Sequence, residues 1–324
     1  MSYDSPPPAP RRFGRSNLTV AIAALAPTAL AGWLVWQTMG GPDGGEPPKV
    51  MPVPSQSVAR SSAAPPVSVT PRRSRPATPS APASPSGTKT GHSDDKPAGT
   101  GPLAGRVVVV DPGHNPGNFQ HTREINKLVD IGTNRKECDT TGTSTNAGYT
   151  EATFTLDVSR KLRALLQRQG ATVKLVHNAD RPFGPCVDER ARIANEAKAD
   201  AVVSVHADGS AVGNRGFHVI LPALVKGGAS DTAKIVGPSR ELGERIAGNF
   251  VRATGSMPSN YVGGGTGLDV RKDLGGLNLT TVPKVFIECG NMRDPKDVAL
   301  LTSESWRQKA AQGIADGITG YLKG

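Results

Sequence analysis

An α/β fold is predicted for the last two-thirds of this 324-residue chain: a single domain with a mostly parallel central sheet flanked by helices on both faces. Three observations lead to that reading. Short, continuous apolar runs bounded by turn residues recur, as strands buried on both faces require. Amphipathic segments with helical spacing lie between those runs. Strand and helix alternate, which is the order that builds a parallel sheet.

The domain is expected to begin near Gly105, where R-V-V-V-V (106–110) gives a buried strand stopped by Asp111-Pro112-Gly113. Residues 151–169 put Phe154, Val158, Leu162, Leu165 and Leu166 on one face, with Thr150 as N-cap and Gly170 as the stop. A-T-V-K-L-V (171–176), a helix over 187–198 and A-V-V-S-V (201–205) follow. G-F-H-V-I-L (216–221) alternates like a half-exposed strand. A helix over 230–254 carries Ile235, Leu242, Ile246 and Phe250 on its apolar stripe. A glycine-rich loop (263–267) and a short segment near Leu268 precede K-V-F-I-E (284–288), a central strand. One helix over 295–322, carrying Val298, Leu301, Trp306 and Ile314, closes the domain.

The first hundred residues read differently. Residues 1–17 are polar and carry Arg11, Arg12 and Arg15; residues 18–39 contain no charge. That apolar length suits a membrane-spanning helix, and arginines before it place the N-terminus in the cytoplasm and the rest outside. Two readings stay open: a retained anchor, with Trp33 and Trp36 at the outer interface, or a signal peptide cut near Ala29-Leu30-Ala31. Either way the chain is expected to leave the cytoplasm. Residues 40–104 form a Pro/Ser/Ala-rich linker without hydrophobic periodicity, expected to be disordered and long enough to reach into a cell wall. The net charge of +10 is shared along the chain. No Lys/Arg cluster is interleaved with aromatics, so nucleic-acid binding is not expected. The chain is read as a monomer.

Four residues point to chemistry. His114 closes V-V-V-V-D-P-G-H, Glu151 opens a helix, His206 ends S-V-H, and Glu288 ends V-F-I-E. Each lies at a strand end or a helix start, where open α/β sheets gather ligands. Two imidazoles, a carboxylate and a spare acid are the components of a zinc hydrolase with an open coordination position. Ser204, His206 and Asp208 do not form a nucleophilic triad, because their spacing along one strand does not aim the imidazole between hydroxyl and acid. Cys138 and Cys186 sit in loop-like sequence and could pair in an exported protein; Cys289 faces away from Glu288, toward the core.

D-P-G-H, the helix-leading Glu151, S-V-H-A-D and V-F-I-E-C-G resemble, in family order, the zinc-dependent N-acetylmuramoyl-L-alanine amidases of the amidase_3 type, with the actinobacterial cell-wall members most alike. The resemblance covers about residues 105–322. It implies that His114, Glu151 and His206 hold Zn2+, that Glu288 is the catalytic acid/base, and that the amide between N-acetylmuramic acid and L-Ala of peptidoglycan and muropeptides is cut. Asn115, Asp208 and Asn291 depart from the family pattern around the pocket and are read as substrate-contacting positions. The long segment between His114 and Glu151 is expected to lie beside the metal. Two other readings stay open: a zinc peptidase cutting within the stem peptide, and a non-catalytic wall-binding regulator.

Overall fold

The computed structural model describes residues 100–324. The predicted tail, membrane segment and linker up to residue 99 lie outside the described residues. Among the described residues, no helix is long and apolar enough to cross a membrane.

In chain order the main elements are β1 (Val107–Pro112), α1 (Glu151–Arg168), β2 (Thr172–Leu175), α2 (Val187–Glu196), β3 (Ala201–Asp208), β4 (His218–Pro222), α3 (Val236–Thr254), β5 (Leu268–Arg271), α4 (Gly275–Asn278), β6 (Lys284–Asn291), α5 (Pro295–Leu301) and α6 (Glu304–Lys323). The six strands form one sheet in the order β2-β1-β3-β6-β4-β5. The first four run parallel, as the apolar runs predict. β4 is antiparallel to β6, and β5 follows β4 in parallel.

One face of the sheet is covered by α1, α3 and α6. Phe154, Val158, Leu162 and Leu166 of α1 and Leu242, Ile246 and Phe250 of α3 meet Val108, Val110, Val203, Val205, Val285 and Ile287 from the strands. Each such side chain contributes about 1.5–3 kcal/mol on burial. Phe250 also touches Phe217 (ring centroids 4.8 Å apart) and meets Trp306 edge-on at 6.0 Å. Cys289 lies in this core as a free thiol, on the side of β6 opposite Glu288. On the other face, Ile193 and Ala194 of α2 and its C-cap Ala197 pack over Val109, Val176 and Val202. A cleft opens beside that packing.

Several expectations change. Leu103 is fully buried, so the core reaches two residues ahead of the predicted start. β3 and β6 run past the predicted ends, which places His206 inside a paired strand rather than just beyond one and continues β6 past Glu288. β4 is buried throughout instead of half-exposed: Val219 and Leu221 join the helix-covered core on one face, and His218 and Ile220 are covered on the other. The 230–254 helix starts at Val236; the preceding residues form a small hairpin, Lys226–Gly227 with Ser230–Asp231. The 295–322 helix is two helices. Ser303 accepts a bond from Trp306 N and caps α6, and that cap outcompetes continuation of α5.

Between β1 and α1 the chain makes a two-stranded ribbon, Leu128–Asp130 with Arg135–Glu137, and then a strap (residues 138–150). Cys138 and Cys186 are joined as a disulfide, which ties the start of the strap to the entry of α2. The predicted pairing is present. At the far end of β2, buried His177 directs Nε2 to Pro112 O (3.1 Å) and Nδ1 to Ala179 N (3.3 Å). Donation from Nε2 and acceptance at Nδ1 require the neutral ring. Burial and the nearby Arg190 charge push its pKa down to about 4 from 6.5.

Two outcomes follow. Below about pH 6.5 the unfolded chain takes up a proton that folded His177 refuses until about pH 4. Stability should therefore fall as pH drops through that window, by on the order of 2–3 kcal/mol, and level off below it. Denaturant midpoints between pH 7 and pH 4 should show a smaller acid loss in His177→Gln than in the parent. The disulfide closes a loop with a sequence separation of 48, so Cys186→Ser should destabilise the folded state by about 4 kcal/mol. Equal midpoints for the variant and the oxidised parent would contradict this.

Candidate active site

The site is assembled at the carboxyl ends of β1, β3 and β6. Asp111-Pro112 ends β1, and Gly113 turns the chain so that His114 sits at φ 60°, a left-handed conformation rare for a residue with a side chain. A Cβ on Gly113 would lie 2.4 Å from the His206 ring, so only glycine fits there. Thr155 Oγ1 donates to Gly113 O (2.6 Å) and Arg190 Nη2 to His114 O (3.2 Å), holding the turn from both sides. Glu151 is the first residue of α1, with Thr150 Oγ1 accepting from Thr153 N as its cap. The positive end of the helix dipole favours its ionised form.

Glu151 bridges the two histidines. Its Oε2 is 3.2 Å from His114 Nε2 and its Oε1 is 2.9 Å from His206 Nδ1. The three donor atoms all lie within 4.8 Å of one another. The His114 and His206 rings meet edge-on at 5.0 Å, and His206 stacks on Phe286 at 5.3 Å. Burial opposes a charge on His114, but the Glu151 and Asp139 carboxylates raise its pKa well above the ordinary value. Burial likewise opposes ionisation of Glu151, and the two imidazoles overcome it and pull its pKa far down. The pocket thus favours a positive charge between these groups. Two nitrogens and a carboxylate are a zinc donor set, and His114 Nδ1 has a backing partner in Thr140 O at 3.1 Å, which leaves Nε2 free to ligate. The residues fit a zinc ion.

The strap lies against this site, as expected for the long segment before Glu151. Thr143 N donates to Glu151 Oε2 (2.9 Å), and Glu151 N returns a bond to Thr143 O (2.9 Å). Gly142 sits at φ 73°, and a Cβ there would come within 2.7 Å of His114 Cδ2 and 2.8 Å of Glu151 Oε2. Behind the strap runs a buried chain of charges. Lys284 Nζ reaches Asp111 Oδ2 (3.2 Å), Arg190 contacts Asp111 (2.6 Å) and Asp139 (2.9 Å), and Asp139 lies 3.5 Å from His114 Nδ1. Ser204 Oγ donates to Asp111 Oδ2 (2.7 Å), which gives this hydroxyl a structural use. Burial disfavours both carboxylates in charged form, but Arg190 reverses the balance and holds Asp111 and Asp139 well below the usual carboxylate range.

Glu288 pairs in register with His206 on one side and His218 on the other. Its Oε2 is buried with no hydrogen-bond partner among the described residues. Burial pushes its carboxyl well above the usual range, and the Glu151 and Asp208 charges push it further. A cleft of about 470 Å³ lies over this face, lined by the triad, Asp208, Ile220, Arg271, Phe286 and Glu288. Asp208 is in the cleft wall, where its carboxylate accepts from Tyr261 Oη at 2.6 Å.

The two asparagines predicted to contact substrate are placed otherwise. Asn115 is 2% exposed; its amide donates to Gly184 O (2.9 Å) and Arg181 O (3.3 Å), and its oxygen accepts from Gly117 N (2.8 Å). Asn291 is fully buried and bonds Ser210, Ala211 and Asn214 carbonyls through one amide nitrogen. Both spend their amides on loop backbone, so they shape the walls without facing the cleft. The sequence reading missed Asp139, Arg190, Lys284, Tyr261 and Arg271. Only Asp111, inside D-P-G-H, belonged to a motif. A lysine opening an otherwise apolar strand (Lys284) was the one other available signal, since a buried ammonium needs a partner.

A family model described as N-acetylmuramoyl-L-alanine amidase matches residues 108–320. An N-acetylmuramoyl-L-alanine amidase of Mycobacterium tuberculosis is 42% identical over 221 residues, which cover 68% of this chain and 88% of that protein. The crystal structure of the N-acetylmuramyl-L-alanine amidase from Mycobacterium smegmatis aligns with a TM-score of 0.63 at 40% identity, over 68% of this chain and 98% of that one. The apo enzyme from Mycobacterium abscessus aligns with a TM-score of 0.62 at 40% identity, over 68% and 100%. With two-thirds of its length under that family model and the matching residues gathered in one cleft, the chain belongs to the N-acetylmuramoyl-L-alanine amidase family and is a peptidoglycan-cleaving hydrolase of that class.

Proposed function

We propose that His114, Glu151 and His206 hold one Zn2+ ion and that Glu288 moves the protons in hydrolysis of the amide joining N-acetylmuramic acid to L-Ala of the stem peptide. The observation that carries this reading is the convergence of three donor atoms within 4.8 Å, with the unpartnered Glu288 carboxylate on the adjacent strand. Zinc held there supplies Lewis acidity toward the scissile carbonyl and acidifies a water toward a pKa of about 7.

The remaining work falls to the chain's own residues. Glu288 Oε2 is unpartnered, so it is available to take a proton from the attacking water and pass it to the departing amine. The carboxylates that raise its proton affinity, Glu151 and Asp208, are next to the site a cation would neutralise. Phe286 stacks on the His206 ring and limits its rotation, and Thr140 O fixes the tautomer of His114. The strap shields one side of Glu151 from water through Thr143 and Gly142.

Cell-wall amidases act outside the cytoplasm. In this reading the chain works there either on a membrane anchor formed by residues 18–39, with 40–104 as spacer, or as a secreted enzyme after cleavage. Composition supports export, and the disulfide is consistent with an oxidising compartment.

Glu288→Gln should keep about one zinc per chain by elemental analysis and lose turnover by about 10²- to 10⁴-fold. Near-parental release of stem peptides from purified muropeptides would remove Glu288 from its role. His114→Ala should lose the metal and the activity together. Mass spectrometry of the products should place the cut between the muramoyl group and L-Ala; a cut inside the stem peptide would favour a peptidase.

A further inference from the structure

The cleft is acidic in its own residues. Glu151, Asp208 and Glu288 line it, and Arg271 is the one lysine or arginine among its lining residues. Arg271 ends β5 and stands in register with Pro222, on the same sheet face as Phe286 and Glu288. Its guanidinium is held in place: Nε donates to Asp273 Oδ1 (2.9 Å) and Nη2 to Asp273 Oδ2 (2.7 Å). Lys136 Nζ supports the same carboxylate from the ribbon at 3.4 Å. Asp273 thereby clamps one edge of the guanidinium, and Nη1 has no protein partner among the described residues. The Arg271 side chain is 40% exposed, so that free edge is accessible. A planar cation oriented by a neighbour and presenting unspent N–H donors is suited to grip a carboxylate.

The substrate determines where such a group is found. On the acyl side of the scissile bond the lactyl carboxyl is consumed in the amide, and the sugar is otherwise neutral. Free carboxylates occur on the stem peptide. They can also be masked as amides, which removes the charge and replaces two acceptor oxygens by one. We propose that Arg271 is the specificity residue that reads a free carboxylate of the stem peptide, so that the enzyme favours unamidated over amidated stems and the peptide runs from the metal toward the β5 edge. This rests on the amidase reading of the site and deepens it.

The test uses two muramoyl peptides identical except for amidation of the stem carboxylates, cleaved by the zinc-loaded parent, Arg271→Ala, Arg271→Gln and Arg271→Lys. Zinc content and melting temperature are checked for each variant. The parent should favour the free acid in kcat/KM by about ten- to a hundredfold, the range for a hydrogen bond to a charged group. Arg271→Ala and Arg271→Gln should bring the ratio to about one while still cutting the amidated peptide, and Arg271→Lys should recover part of the preference. A residue that only supports the fold would slow both peptides alike and leave the ratio standing. That result, or a parent with no preference, overturns the inference. A parent that cuts neither peptide at the muramoyl–L-Ala bond would instead overturn the amidase reading, and the two failures are distinct.

Discussion

One carboxylate joins the halves of this site. Glu151, carried by a helix that packs on one face of the sheet, reaches His114 with one oxygen and His206 with the other, and takes a backbone bond from the strap. Removing it would leave His206 without its carboxylate partner and His114 with Asp139 alone. Everything nearby keeps that carboxylate in register: the Thr150 cap, the reciprocal bonds to Thr143, and the glycine at 142 that leaves it room. The same arrangement makes the pocket hospitable to a divalent cation, because two carboxylates already favour positive charge on His114.

The second organising feature is the line of charges behind the site. Lys284, Asp111, Arg190 and Asp139 are almost fully buried and alternate in sign up to the back of His114. Buried ion pairs of this kind add little net stability compared with an apolar filling, and losing one member is costly. Their value here is positional. Arg190 also donates to Pro112 O and Pro185 O, and so fixes the turn that points His114 and the loop beside the disulfide with one side chain. The catalytic face is therefore braced by polar contacts, whereas the opposite face is held by close aliphatic and aromatic packing.

The sheet explains why a cleft exists at all. Helices fully cover one face, whereas on the other α2 packs mainly over β1 and β3. Beside it, Phe286, Glu288 and Arg271 keep partly open floor positions. Because β4 and β5 run opposite to β6, Arg271 at the end of β5 stands toward the amino end of β6, and it lines the cleft on the same sheet face as Phe286 and Glu288.

The order of strands and helices, the apolar faces of α1 and α3, and the four residues of the candidate site were legible in the sequence, because each depends on local pattern: apolar runs, helical spacing, caps and turns. His114, Glu151, His206 and Glu288 could be named for the same reason, since strand ends and a helix start are marked by neighbouring residues. What tertiary structure alone decided was direction and company. Asn115 and Asn291 were equally visible in the sequence, yet their amides turned to loop carbonyls contributed by segments about seventy to eighty residues away. Arg190, Asp139 and Arg271 carried no local signal, because a buried charge is defined by partners that only the folded chain brings within reach.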